Sequence, residues 1–358
     1  MKNVLVYFIG LIILFSCNNK PIKAKVEVIP YAIVIHGGAG NITPNNFSKA
    51  KQEQYKKVLN KALEKGYTVL EKGGTSIDAV QQTISVLENS PLFNAGKGAV
   101  FDSDGKNRLD ASIMDGKTLQ AGAVAGVSNI KNPIVLAKMV LDKSKHVLLS
   151  GIGAEKFAEQ NHIQFEDDAY FYTKRQADYL KKVQKREREE SLQSSASIYK
   201  GRSPFLLGRL GWKKYGTVGC VALDKNGNLA AGTSTGGLTN KKFGRIGDSP
   251  LIGAGTYANN ATCGVSCTGI GEYFIRTLAA HEVSNLIQYK QLSAKAAIQE
   301  VIHTQIDTLG GVGGMIVLDH KGNIAWDFNT SGMFRAYKKS TGENEIAFFK
   351  EKMVTKLQ

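Results

Sequence analysis

The chain is poor in the residues that build side-chain metal sites. It has 4 cysteines and 6 histidines in 358 residues. No CxxC pair is present and the histidines are scattered, so Cys/His clustering gives no basis for a zinc-type site. It also lacks a P-loop, an RNP-like aromatic strand, zinc-finger spacing and a recognition helix. Without these the net charge of +15 is no nucleic-acid footprint. Much of that charge sits in KKVQKREREESLQ and GWKKYG or on scattered lysines, and reads as a solvated surface. Proline is scarce, 7 residues against 38 glycines, which points to tight turns and close backbone approaches. The balance of 42% hydrophobic and 22% charged residues is that of a soluble globular protein.

A hydrophobic run long enough to span a bilayer comfortably is missing too. The opening MKNVLVYFIGLIILFSC carries Lys2, a short apolar run from Val4 to Phe15, then Ser16 and Cys17, with polar NNKPIKAK behind it. This resembles a bacterial lipoprotein signal, with residues 1–16 removed, lipid on Cys17 and residues 17–30 as a tether. Phe15 departs from the small residue usual there, and an ordinary cleaved signal peptide is the alternative. Both imply export, to a periplasmic or cell-envelope location, and the first adds a membrane contact through the lipid. Beyond Cys17 lie Cys220, Cys263 and Cys267; a bridge between the last two stays open, because spacing alone decides nothing.

Apolar periodicity organises the rest. YAIVIHGGAG predicts a strand ending in a glycine-rich turn. Tyr55, Val58, Leu59, Leu63 and Tyr67 mark one face of an amphipathic helix, and Ile77, Val80, Ile84 and Leu87 mark a second, with Thr75 as N-cap. LDASIMDG and QAGAVAGVSNI are strand-like, Pro133 opens a helix, and HVLLSG leads to the helix AEKFAEQ. From about 170 to 215 the chain turns charged, then polar, then irregular, as a mobile, protease-accessible linker would. Order resumes at Thr217 with TVGCVALD, apolar on both faces, then the turn KNGN and the return LAAGTS. PLIGAGTYANN and CGVSCTG predict strands, EYFIRTLAAHEVSNLI and LSAKAAIQEVIHTQI helices, and GGMIVLD with IAWDFN a closing hairpin. This is a layered arrangement of strands and helices, not a doubly wound βαβ array.

Three local patterns compete for the chemistry. Gly232-Thr233-Ser234-Thr235-Gly236 satisfies GxSxG, and HGGAG from His36 is reminiscent of an oxyanion loop. A nucleophile elbow needs a helix after the serine, however, and TGGLTNKKFGRIGDSP forms none. Gly253 to Ala258 satisfies GxGxxA but precedes no helix either. The third candidate is Thr217. A threonine hydroxyl needs a base to take its proton. Cutting the Gly216–Thr217 bond would give Thr217 an α-amine of pKa about 7.7–8.0, far below the roughly 10.4 of lysine, beside its own hydroxyl. That would account for a strand that starts abruptly after a linker.

Here the resemblance becomes specific. GTVGCVALDKNGNLAAGTSTGGLTNKKFGRIGDSPLIGAGTYAN resembles the plant-type asparaginase or isoaspartyl peptidase family of N-terminal-nucleophile hydrolases. VIHGGAG, PLFNAGKGAVF, LDASIMDG, AGAVAGV, SCTGIGE and GGVGGMIVLDHKGNIAWDFNTSGMFRA fit it in the same order, so the likeness spans about Tyr31 to Ala336.

The resemblance implies an α+β fold, a four-layer αββα sandwich autoprocessed into two subunits. The α-subunit would be 31–216, with a mobile linker over about 181–216, and the β-subunit 217–358, assembled as a dimer of αβ heterodimers. It implies self-cleavage between Gly216 and Thr217, with Thr217 as nucleophile and Thr235 polarising it. Thr268 and Gly269 would stabilise the oxyanion. Arg245 and Asp248 would clamp the substrate's α-carboxylate and α-ammonium, Gly271 would add a carbonyl, and Asn94 would help position a water. Carbonyls of Leu87, Glu88, Ser90, Phe93, Ala95 and Lys97 would bind a structural sodium ion; no cofactor is implied for catalysis. The substrates would be small molecules and dipeptides: L-asparagine and β-aspartyl dipeptides, hydrolysed through a threonine ester. Glycosylasparaginase activity is the nearest alternative, and a non-catalytic lipoprotein that binds amino acids or peptides is a further one.

Overall fold

The computed structural model describes residues 30–195 and 216–350, the backbone alone for 191–195. Strand β1 (Ala32–Gly40) is buried along its whole length. Helices α1 (Lys49–Glu71) and α2 (Ser76–Glu88) follow, and each is capped as its sequence suggests. Ser48 Oγ accepts the Lys51 amide and Thr75 Oγ1 accepts the Asp78 amide, satisfying one otherwise unpaired N–H apiece. Next come β2 (Leu109–Asp115), β3 (Ala121–Val127), α3 (Pro133–Lys143), β4 (Leu148–Ser150), α4 (Gly151–Gln160), α5 (Asp168–Phe171) and α6 (Lys174–Ser195). The second block holds β5 (Val218–Leu223), β6 (Leu229–Thr235), β7 (Thr256–Ala258), β8 (Cys263–Gly269), α7 (Gly271–Thr277), α8 (Ala279–Lys290), α9 (Ala294–Gln299), β9 (Gly313–Asp319), β10 (Ile324–Phe328), β11 (Gly332–Lys339) and β12 (Asn344–Phe349).

Among the described residues the strands form two sheets, ordered β12-β11-β1-β5-β6-β2-β3-β4 and β10-β9-β8-β7. The fold is therefore mixed α+β, with nearly all pairings antiparallel; β3 with β4 is parallel. Strand β5 shows how the core is divided. Val218, Cys220 and Ala222 pack with Leu59, Val80 and Ile84 of α1 and α2, while Val221 and Leu223 pack with Ile316 and Leu318 of the other sheet. A strand covered on both faces must be apolar on both, which is what TVGCVALD shows. The far face of the small sheet packs Val265, Cys267 and Val317 against Phe274, Val283 and Ile298.

Several elements differ from the sequence reading. The expected strand PLIGAGTYANN shrinks to Thr256–Ala258, because the glycine-rich part before it is turn. The helix EYFIRTLAAHEVSNLI is two helices, broken where Leu278 takes a φ of 47°. The chain does not close at β10: β11 and β12 follow, and β11 returns to pair with β1 at the opposite end of the sequence. The linker expected from about 181 begins as the last turns of α6; residues 196–215 lie outside the described ones. Cys263 and Cys267 stay unbridged. They sit four residues apart on one strand, roughly 13 Å, beyond disulfide reach.

Candidate active site

The hairpin β5–β6 sets the first relationship. Its register pairs Val218 with Ser234, so Thr217, just before β5, falls opposite Thr235. Thr217 Oγ1 donates to Thr235 Oγ1 at 3.1 Å, and both residues are buried. Thr235 Oγ1 also accepts the Gly237 amide at 3.0 Å, which fixes its rotamer. Ser234 points the other way, its hydroxyl donating to Glu88 Oε1 at 2.6 Å beneath the sheet. That contact removes Ser234 from the exposed elbow position that GxSxG would require.

The end of β1 reaches the bond before Thr217. Gly38 has a φ of +101°, and a Cβ on it would stand 2.5 Å from Gly216 N. The glycines of HGGAG thus allow a backbone-to-backbone approach that no larger residue permits. Thr268, on β8, lies on the other side: its Oγ1 accepts the Ala39 amide at 3.4 Å and would be 3.1 Å from a Cβ on Gly216. Gly269 ends the same strand. His36 does not present a base to solvent. It is fully buried with Nε2 3.0 Å from Ser266 Oγ, and burial pushes its imidazole down to about 3 against the pull of a hydrogen bond with the Thr217 backbone. It is a neutral support.

The predicted clamp also comes together. A Cβ on Gly271 would lie 2.8 Å from Asp248 Oδ1 and 3.0 Å from Arg245 Nη2, so all three converge where α7 begins, two residues past Gly269. Asp248 is buried, and its Oδ2 has no hydrogen-bond partner among the described residues. Burial raises its carboxyl to about 7, opposed by its own backbone N–H and by Arg245, with Glu272 and Asp110 adding to the rise. A buried carboxylate oxygen without a donor is costly unless something brings one. Arg245 is engaged: its Nε and Nη2 donate to Glu272 Oε1 and Oε2 at 2.9 and 2.8 Å. Burial pushes the Glu272 carboxyl up, but Arg245 overrides it and holds it below the ordinary value. In the sequence only a lone charge among small residues, in SCTGIGE, marks Glu272.

Asn94 lies below the turn after Thr235. Its Nδ2 donates to Gly237 O at 2.8 Å and its Oδ1 accepts the Val100 amide at 2.9 Å, so the amide bridges that turn to the loop of Val100. The loop of predicted carbonyl ligands is tight and largely buried. Gly96 takes a φ of +49°, and a Cβ there would stand 2.5 Å from Glu88 O; one on Gly98 would collide with Phe93 O. Leu87 O accepts the Asn89 and Ser90 amides, while Ala95 O accepts the Gly98 amide and has a second lone pair to offer. Lys97 directs its ammonium away, over the Tyr170 ring at 4.8 Å. Oxygen-only ligation of this kind suits a hard cation, so the residues present fit the implied ion.

With this geometry in view, comparison with known proteins is decisive. A model of the asparaginase family matches residues 29–348. The chain belongs to the asparaginase family. An isoaspartyl peptidase of Escherichia coli (strain K12) is 44% identical over 320 residues, 89% of this chain and 96% of the relative. An isoaspartyl peptidase/L-asparaginase of Rattus norvegicus is 39% identical over 89% of this chain and 90% of its own. A plant-type L-asparaginase of Pyrococcus abyssi is 40% identical over 88% of this chain and 98% of its own.

These relatives correct one expectation. The asparaginase family so represented includes a rodent and an archaeon as well as bacteria, and the family match starts at residue 29. The expected lipoprotein with a signal peptide in the periplasm conflicts with relatives from these organisms. Residues 1–29, including Cys17, lie outside the described ones.

Proposed function

We propose that this asparaginase-family chain hydrolyses the side-chain amide of L-asparagine and β-aspartyl dipeptides, with Thr217 as its nucleophile after self-cleavage at Gly216–Thr217. The observation that carries the reading is the Thr217–Thr235 hydroxyl contact of 3.1 Å, joined by a buried Asp248 oxygen that has no hydrogen-bond partner among the described residues. The finer architecture is a four-layer αββα sandwich of two subunits, 31–216 and 217–358, paired as a dimer of heterodimers. The three apolar clusters, helix–sheet, sheet–sheet and sheet–helix, support the layering.

In the uncut chain the nitrogen of Thr217 is an amide. Attack of Oγ1 on the Gly216 carbonyl would convert that amide to an ester, and water would cleave the ester, leaving the Gly216 carboxylate and a free Thr217 amine. This amine then accepts the Oγ1 proton as the hydroxyl attacks the substrate's β-carbonyl. Thr268 Oγ1 and the Gly269 amide donate to the developing oxyanion. The proton passes to the leaving nitrogen, which departs as ammonia or as the amine of the second amino acid. Water then hydrolyses the β-aspartyl ester, releasing aspartate and restoring the threonine. Asp248 holds the α-ammonium, with the Gly271 carbonyl, and Arg245 the α-carboxylate through the donors that Glu272 leaves free. Sodium held by the carbonyls of Leu87, Glu88, Ser90, Phe93, Ala95 and Lys97 would stiffen the loop next to Asn94; the chemistry itself runs through side chains and backbone.

The test is a denaturing gel with N-terminal sequencing of the smaller fragment, followed by parallel assays on asparagine, β-aspartyl-leucine and a glycosylated asparagine. Two fragments split at Gly216–Thr217, the smaller beginning with Thr217, and turnover of the first two substrates, are expected. One intact band with binding but no turnover would leave a non-catalytic binder. Faster turnover of the glycosylated substrate would assign the chain to glycosylasparagine instead.

A further inference from the structure

The segment that carries Arg245 and Asp248 has no regular structure of its own. Asn240, Phe243 and Gly244 take φ values of 61°, 56° and 66°, and the segment lies between β6 and β7. It is tied down by the backbone bonds Asn240 N to Phe101 O and Ser103 N to Lys241 O, each 2.9 Å. Ser112 Oγ of β2 donates to Ser249 O at 2.6 Å, Gln184 Nε2 to Asn240 Oδ1 at 3.3 Å, and Lys242 Nζ to Glu187 Oε2 at 2.8 Å. One buried cationic side chain adds a further tie. That side chain is Lys241. Its ammonium donates to Arg108 O at 2.9 Å and stands 3.8 Å from Asp110 Oδ2, with side-chain exposures of 3% and 0% across the ion pair. A lysine that buried is uncommon unless it is paired.

Asp110 is well placed to link the two halves of the site. On β2 it pairs directly with Thr235 on β6, and cross-strand partners present side chains on the same face. Its Oδ1 accepts the Gly126 amide at 2.7 Å, tying it to β3, while Oδ2 has no hydrogen-bond partner among the described residues. The charges of the clamp reach the pair as well: Arg245 acts on both Lys241 and Asp110, and Asp110 acts on Asp248. A Cβ on Gly237 would be 2.9 Å from Lys241 Nζ, so the ammonium also packs against the turn whose amide holds Thr235.

We infer that Lys241 and Asp110 are positioning residues: together they tether the segment of Arg245 and Asp248 to β2, in register with Thr235, and so fix the substrate's amino-acid end relative to the nucleophile. The inference rests on the asparaginase and isoaspartyl peptidase reading above. Neither residue need touch the substrate. Losing the tether lets the clamp shift while leaving Thr217 and its partner in place, so the loss falls on binding more than on the bond-breaking step.

The experiment compares wild type, Lys241→Met, Lys241→Gln and the double variant Asp110→Asn/Lys241→Met, each checked for self-cleavage on a gel and for melting temperature. KM and kcat are then measured on β-aspartyl-leucine. Lys241→Met alone leaves Asp110 as an unpaired buried charge and lowers the melting temperature; the uncharged double variant recovers it. A merely structural pair would recover KM as well. The tether predicts KM raised by roughly tenfold or more in the folded double variant, with kcat within about threefold. Lys241→Gln, which keeps a donor for Arg108 O, falls between the double variant and wild type. A KM within about twofold of wild type in the folded double variant overturns the inference, as does a fall confined to kcat. Should the double variant not fold, Lys241→Gln decides by the same criteria. Failure of wild type to turn over the dipeptide would count against the functional reading instead.

Discussion

Gly38 stands against Gly216, backbone to backbone, with room for no Cβ between them and a φ of +101° that side chains rarely adopt. Alanine at position 38 would push the Gly216 carbonyl out of line with Thr217 Oγ1 and add backbone strain of about 1–3 kcal/mol. We expect Gly38→Ala to slow self-cleavage by roughly tenfold or more, read as the rate at which the precursor band disappears. A wild-type rate would mean that this approach does not matter.

Thr268 offers the only side-chain hydroxyl assigned to the oxyanion. Thr268→Val keeps its shape and removes the donor. Turnover number should drop about 10²–10³-fold with KM nearly unchanged, the pattern of an interaction made only in the transition state. A rise in KM at constant kcat would reassign Thr268 to ground-state binding.

Asp248 gives a pH dependence with a definite sign. Its carboxyl, raised to about 7 by burial, can serve the proposed role of pairing with the substrate ammonium only when ionised. Below about pH 7 the free enzyme is protonated there, so kcat/KM should fall about tenfold per pH unit. Bound ammonium favours the charged form, so the same limb in kcat should lie at lower pH. Asp248→Asn should abolish this limb and raise KM; a limb that survives the substitution belongs to another group.

Ser234 separates stability from catalysis. Its hydroxyl is one of three donors to the buried Glu88 carboxylate, with Asn132 Nδ2 and Ile134 N. Burial raises Glu88 to about 7 and those three donors oppose the rise. Ser234→Ala should cost about 1–3 kcal/mol by denaturant unfolding and leave a self-cleaving, active enzyme. Loss of turnover in a stable Ser234→Ala protein would revive the serine-nucleophile pattern.

Much of the site was legible because it is local. The turn between Leu223 and Leu229 fixes the hairpin register, and the register alone brings Thr217 opposite Thr235 and turns Ser234 to the other face. Thr268 to Gly271 and Arg245 to Asp248 are also short runs whose motifs name them together. Long-range partners were not legible. Strand β11 pairs with β1 from the other end of the chain, and a run such as GMFRAYKK carries too much charge to read as a buried strand. Arg335 is nevertheless buried there, donating to Met333 O and Phe349 O and lying over the Trp326 ring. Lys241 and Asp110 look like ordinary surface charges in sequence. Only their packing makes them a pair.

The sequence by itself determined the family, the abrupt start of β5, the threonine that faces Thr217 and the small residues around the bond before it. These follow from strand period, turn chemistry and the absence of a side chain, all of which act over a few residues. Tertiary structure decided which charges lose water. It buried Asp248 with an oxygen unpaired among the described residues, gave Arg245 to Glu272, and set Lys241 beside Asp110. Burial depends on every element packed around a group, and electrostatic strength depends on burial. Neither can be read from neighbours along the chain.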